Sequence, residues 1–181
     1  MRVPPNRTRI LTSLALFGLL VSSRAATSEP EDELKSAIVL SFFRYSDWPK
    51  PASADAPLTM EILGRPSLAQ VLRRALDGKI VNGRTIRVLE SKSVVGPHDC
   101  QVLYMASDKS SEIKPALAEA RAAHALTIGE SDRFLEYGGA VNLLLVDGHM
   151  SFEVNLQAVA DTGIEISSKL LRYGQIKGRR P

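Results

Sequence analysis

The sequence predicts an α/β fold: a single three-layer domain with a mixed β-sheet flanked by helices and a C-terminal β-hairpin in the sheet. Two observations carry this. Residues 100–130 alternate strand-like and helix-like runs, CQVLYMAS, SSEIKPALAEARAAH and ALTIGE, and such alternation builds layered α/β domains. Residues 141–156 read VNLLLVDGHMSFEVNL, in which Asp147-Gly148 divides two strand-like segments as a two-residue hairpin turn does.

Each element has its own signal. ELKSAIVLSFFRYSDWP places Leu34, Ala37, Ile38, Ser41, Phe42 and Tyr45 at three- and four-residue spacing, the stripe of a core-facing helix. Pro49 and Pro51 end it. LTMEILG is the first strand, with Leu58, Met60 and Ile62 on one face. A helix over about 66–76 starts at Pro66 and is closed by Gly78. In KIVNGRTIRVLE, Asn82-Gly83 marks a second tight turn. The helix near Ser110 contains Pro115 close to its start. With Asp147-Gly148 as the turn, Leu145 faces Met150, Leu143 faces Phe152 and Val141 faces Val154, all apolar. The other face pairs Leu144 with Ser151 and Asn142 with Glu153, with Asn155 diagonal. A slip of one residue would mix the faces, so the register is well specified.

The N-terminus places the chain. MRVPPNRTR has three arginines and no acid, an apolar run ILTSLALFGLLV follows, and small residues stand at SSRAA. This is the plan of a cleavable signal peptide over 1–25, cut after Ala25. The apolar run falls short of the roughly 20 residues of a membrane-spanning helix. An exported, periplasmic protein is expected, with a flexible N-terminus over 26–33, one domain over 34–176 and a basic tail over 177–181. Cleavage leaves 156 of the 181 residues, enough for one core. It also removes four arginines, so 19 basic residues face 20 acidic ones. The phosphate contacts of nucleic-acid binding need a basic excess, and that class of partner loses its support. Cys100 is the one cysteine, so no internal disulfide can form.

No pattern of chemistry is complete. GIEISSKLL (163–171) places Ser167 and Ser168 beside Lys169, but a serine–lysine hydrolase needs the serine three residues before the lysine, and Ile166 stands there. Ser167 instead suits a helix N-cap, with Leu170, Leu171 and Tyr173 packing inward. Asn142, Glu153 and Asn155 form a polar cluster expected to fix the hairpin by cross-strand hydrogen bonding. As a lone carboxylate, Glu153 makes a poor acid–base centre. His98, His124 and His149 lack metal-ligand spacing, and the glycines of GRPS and NGR lack a phosphate-loop ending. No catalytic, cofactor or metal site is assigned. Arg44 and Trp48, at the end of the first helix, are an aromatic–cation pair of the kind found at interfaces and also in core packing.

Taken in order, FFRYSDWP, LTMEILGRPSL, GKIVNGRTIRV, DCQVLYMAS, LTIGES, FLEYGGAVNLLLVDGHMSFEVNL and GIEISSKLL resemble the YfiR family of periplasmic proteins over about Leu34 to Ile176. The resemblance implies a mixed α/β domain, often a homodimer, without enzymatic activity. It implies a partner too: an inner-membrane diguanylate cyclase or other membrane sensor protein, held inactive and freed by a signal such as an outer-membrane-linked release protein. Some members carry disulfides, which Cys100 alone cannot reproduce. Arg44, Trp48, Ser167, Ser168 and Lys169 are the candidate partner contacts. Two other readings stay open: a solute-binding sensor with a pocket near Trp48, and a hydrolase using Glu153.

Overall fold

In a computed structural model, residues 28–50, 53, 55–91 and 100–177 are described. The expected signal peptide, residues 178–181 and His98 lie outside them. Fifteen elements follow one another among these residues. The chain opens with α1 (Ser28–Arg44) and β1 (Ser46–Asp47), then β2 (Leu58–Leu63), α2 (Pro66–Leu76), β3 (Ile80–Val81) and β4 (Arg84–Ser91). Next come β5 (Val102–Met105), α3 (Ser110–Ala122), β6 (Leu126–Gly129), β7 (Val141–Val146) and β8 (His149–Asn155). It closes with α4 (Leu156–Ala160), β9 (Glu165–Ile166), α5 (Ser168–Leu171) and β10 (Gln175–Lys177).

Eight strands form one sheet in the order β10-β8-β7-β6-β5-β2-β4-β3. β4, β2, β5, β6 and β7 run parallel. β3 runs antiparallel to β4 and β8 antiparallel to β7, and β10 adds parallel to β8. The central strands are buried on both faces, as parallel strands between helical layers must be. On one face Met60, Ile62, Val102, Tyr104 and Phe152 pack with Phe42 of α1 and Leu68 and Leu72 of α2. On the other, Leu103 and Met105 pack with Ile113, Leu117 and Ala120 of α3 and with Phe134. The expected three-layer domain is present.

Local chemistry explains the turns. Asn82 and Gly83 (φ 51° and 79°), like Asp147 and Gly148 (φ 49° and 77°), take the left-handed pair of a type I′ turn. The β7–β8 register is the expected one, Leu143 with Phe152 and Asn142 with Glu153. Arg84, just after the first turn, donates to the carbonyls of Ala56 and Pro57, both at 3.0 Å, and so straps the loop that enters β2.

The structure corrects four expectations. Residues 28–33, read as a flexible lead-in, are helical from Ser28. The face of α1 that meets the core is Asp32, Lys35, Ser36, Val39, Phe42 and Phe43, while Leu34 and Tyr45 of the expected stripe are about half exposed. Ion pairs to loops distant in sequence hold Asp32 and Lys35 there, and the Ser36 hydroxyl donates to Glu33 O at 2.7 Å. Tyr173 does not pack inward but is 79% exposed. Lys177, read as tail, belongs to β10 and pairs with Glu153 at 3.1 Å.

Candidate partner-binding groove

The carboxyl ends of the parallel strands, where α/β sheets ordinarily hold ligands, are the first place to look. The strand order reverses between β2 and β5, and a crevice of about 700 Å³ opens there, lined by Gly64, Arg65, Ala106, Ser107, Asp108, Lys109, Glu112 and Glu130. Most of its charges are already paired within the protein. Arg65 donates to Asp32 at 2.7 Å, Lys109 to Glu112 at 2.9 Å, and Lys35 from α1 to Glu130. Tyr104 lies buried beside Glu130 with no hydrogen bond of good geometry, and burial pushes its phenol well above the usual range. The crevice wall is thus a clamp between α1 and the loops after β2 and β6. Among the described residues no group of three or more His, Cys, Asp and Glu is placed to hold a metal ion.

A second concavity, about 460 Å³, lies where the outer side of α1 meets β8 and α5. Ile38, Ser41 and Tyr45 form one wall, Met150 and Phe152 the floor, and Lys169, Leu170, Arg172 and Tyr173 the opposite rim. Three features fix its shape. Phe42 meets Phe152 edge-on at 5.1 Å and 72°, which seats α1 on β8. β1 pairs antiparallel with β9, Ser46 opposite Ile166. Ser167 N–H donates to the carbonyl of Tyr45 at 2.8 Å. The last two tie the corner 165–169 to the end of α1 and hold Lys169 beside Tyr45. The rim holds two cations and no acid.

Of the expected contact residues, only Lys169 lines this groove. Ser167 caps α5 as expected, its Oγ accepting from Lys169 N–H at 3.3 Å, and Ser168 opens that helix exposed. Arg44 is exposed in the last turn of α1. Trp48 is occupied in packing: its indole N–H donates to Phe43 O at 3.0 Å and its ring lies 5.4 Å from that of Phe43.

The polar cluster divides three ways. Asn142 is buried with Oδ1 unpaired, Glu153 binds Lys177, and Asn155 caps α4, accepting from the N–H groups of Gln157 and Ala158 at 3.1 and 3.2 Å. Asn142 and Glu153 are neighbours in register, but no side-chain hydrogen bond joins them. Loss of a two-bond cap costs about 1 kcal/mol, so Asn155→Ala is expected to lower stability to urea by that amount and Ser167→Ala, with one long bond, by less. Equal losses would contradict this reading of the caps.

Sequence reasoning missed Met150, Arg172 and the exposure of Tyr45 and Tyr173. The available signal was the spacing of Leu34, Ile38, Ser41 and Tyr45, which marks an apolar stripe without saying what covers it.

Comparison with known proteins fits this architecture. A family model described as YfiR/HmsC-like matches residues 32–175. The chain belongs to the YfiR/HmsC-like family. Membership supports a regulatory protein. A crystal structure of a conserved domain protein from Vibrio cholerae O1 biovar El Tor str. N16961 is similar at a TM-score of 0.56 and 13% identity, over 80% of this chain and 59% of that one. The chain spans less than two thirds of that protein, and likeness at this identity shows the fold alone. No curated protein matches. Among the described residues no helix is long and apolar enough to cross a membrane.

Proposed function

We propose that this protein is a non-enzymatic periplasmic regulator that binds and represses an inner-membrane signalling protein, a diguanylate cyclase, and thereby lowers cyclic di-GMP. The family match over residues 32–175 supports this reading, and the groove between α1 and α5 offers the docking surface it needs. The nucleotide is made on the far side of the membrane, so repression acts through the partner's conformation. A bound repressor shifts that equilibrium only by its differential affinity for the inactive state. Release requires a signal that favours the unbound protein.

The test is capture from detergent-solubilised membranes of the host with the tagged mature chain. A membrane protein with a diguanylate cyclase domain is expected in the retained fraction, and removing the gene is expected to raise cellular cyclic di-GMP. No retained cyclase together with an unchanged nucleotide level would overturn the proposal.

The crevice at the strand-order reversal favours a second reading, a solute sensor. Its paired charges weaken it: a charged ligand must first displace Asp32 or Glu130 from Arg65 or Lys35. Trp48, once expected beside such a pocket, packs on Phe43 instead.

A further inference from the structure

Helix α1 carries two faces. Its inner face holds the core, whereas Leu34, Ile38, Ser41 and Tyr45 recur at intervals of four, three and four residues along the outside. That is the seam by which one helix packs along another. It spans about 16 Å, three turns of helix. Leu34 is 49% and Tyr45 48% exposed, with Ile38 between them half-buried against the core, so among the described residues both ends of the seam are left uncovered. Exposed apolar surface of this kind, rimmed by polar groups, marks interaction sites. Small residues soften the middle: Ala37 is exposed, and Ser41 returns its hydroxyl to Ala37 O at 2.9 Å. A second helix can therefore approach closely.

Resting on the regulatory reading above, we infer that the groove receives an amphipathic α-helix from the periplasmic part of the membrane partner. Its apolar face lies along the seam from Leu34 to Tyr45, and its carboxylates meet Lys169 and Arg172. The groove's charge selects this occupant over a second copy of the chain. A two-fold contact sets the same patch against itself, so antiparallel seams would turn the Lys169 and Arg172 end of one copy toward the Leu34 end of the other, where Asp32 is buried, Glu31 pairs with Lys35 and the exposed Glu33 is left to face two cations. A helix with several acidic residues beside its apolar stripe can meet both cations at once. Lys169, Arg172 and Tyr173 are exposed, so substituting them leaves the core intact.

The test uses the full mature chain and two synthetic three-heptad helical peptides, both with leucine at the a and d positions, one with glutamate and one with lysine at e and g. Fluorescence anisotropy is expected to show binding of the glutamate peptide alone, weakened by salt. Lys169→Glu/Arg172→Glu is expected to bind it about tenfold more weakly, since like charges replace attraction at the rim, and Tyr45→Ala to weaken it with the salt dependence unchanged. In membrane capture, a cyclase retained by the wild type and lost by the charge-reversed variant supports the inference. A cyclase retained equally by both keeps the regulator and overturns the groove. If the wild type retains no cyclase and removing the gene leaves cyclic di-GMP unchanged, the regulatory reading fails, and the groove stands or falls on the glutamate peptide. Crosslinking of a photoreactive residue at position 45 to another copy of the chain would overturn the inference in favour of a homodimer contact.

Discussion

Replacing Lys35 by methionine is expected to cost about 3–5 kcal/mol of stability, the usual result of removing one partner from a buried ion pair. Lys35 is 5% exposed and Asp32 2%. The amine contacts Glu130, lies 2.7 Å from Glu31 and 3.9 Å from Asp32, and Arg65 reaches Asp32 at 2.7 Å. Without Lys35, Arg65 alone faces Asp32 and Glu130. At about 2–4 °C per kcal/mol for a domain of this size, the melting temperature should fall by about 10 °C, read by circular dichroism. A fall of under about 2 °C would mean that water already screens the network.

The pH dependence of this loss has a definite sign. Burial pulls the Lys35 amine down, but hydrogen bonds and charges from Glu130 and Glu31 outweigh it, and the amine titrates above the ordinary lysine value. A base raised in the folded state stabilises fully below its unfolded pKa and loses that contribution as pH climbs through the folded one. The Lys35 contribution is therefore complete at neutral pH and disappears only in strongly alkaline solution. Asp32 behaves in the opposite sense. Burial raises it, and Arg65 and Lys35 offset this only in part. Its charge is a cost at neutral pH, relieved as pH falls through the raised value. Protonated Asp32 has no need of a cation, so the gap between wild type and Lys35→Met is expected to narrow as pH falls through the raised Asp32 value. A gap that stays constant into acid would show that the loss does not run through Asp32.

The same network explains what the sequence hid. The β7–β8 register was legible because the Asp147-Gly148 turn and the apolar alternation specify it independently. α2 was legible because Pro66 opens it and Gly78 follows its end. The inner face of α1 was not: three of its six buried residues are Asp32, Lys35 and Ser36, and two of those are buried only because Arg65 and Glu130, 33 and 95 residues further along, meet them. An apolar count chose Leu34, Ala37, Ile38, Ser41, Phe42 and Tyr45 instead; of these Phe42 enters the core and Ile38 packs against it, while Leu34, Ala37 and Tyr45 stay exposed. β1 and β10 escaped notice for another reason. Strands of two or three residues show no periodicity and exist because a neighbour lies alongside. Of the groove, the corner at Lys169 was legible as an exposed cap, while Tyr45, Met150 and Arg172 become neighbours only once β1 pairs with β9.

Gly64→Ala is expected to be about as damaging as the loss of Lys35, by a different route. Gly64 ends β2 and turns the chain toward α2 at φ 104°, a region that costs a side chain about 1–3 kcal/mol. An added Cβ would lie 2.5 Å from the carbonyl oxygen of Ala106 and 2.9 Å from its carbon. That carbonyl is backbone, and Ala106 N–H is held by Leu63 O at 2.9 Å, so it cannot swing aside as a flexible side chain would. Overpacking of this kind adds about 1–3 kcal/mol, for a total of about 3 kcal/mol or more. Gly78 separates the two contributions. It also has a positive φ, 76°, but a Cβ there meets nothing within 4 Å, and Gly78→Ala should cost only about 1 kcal/mol of conformational penalty. Urea unfolding of both variants gives the difference between them as the clash at Ala106. If the two lose equal stability, the junction of β2 and β5 is loose enough to admit a methyl group, and the clamp of Arg65 and Glu130 over it cannot be rigid.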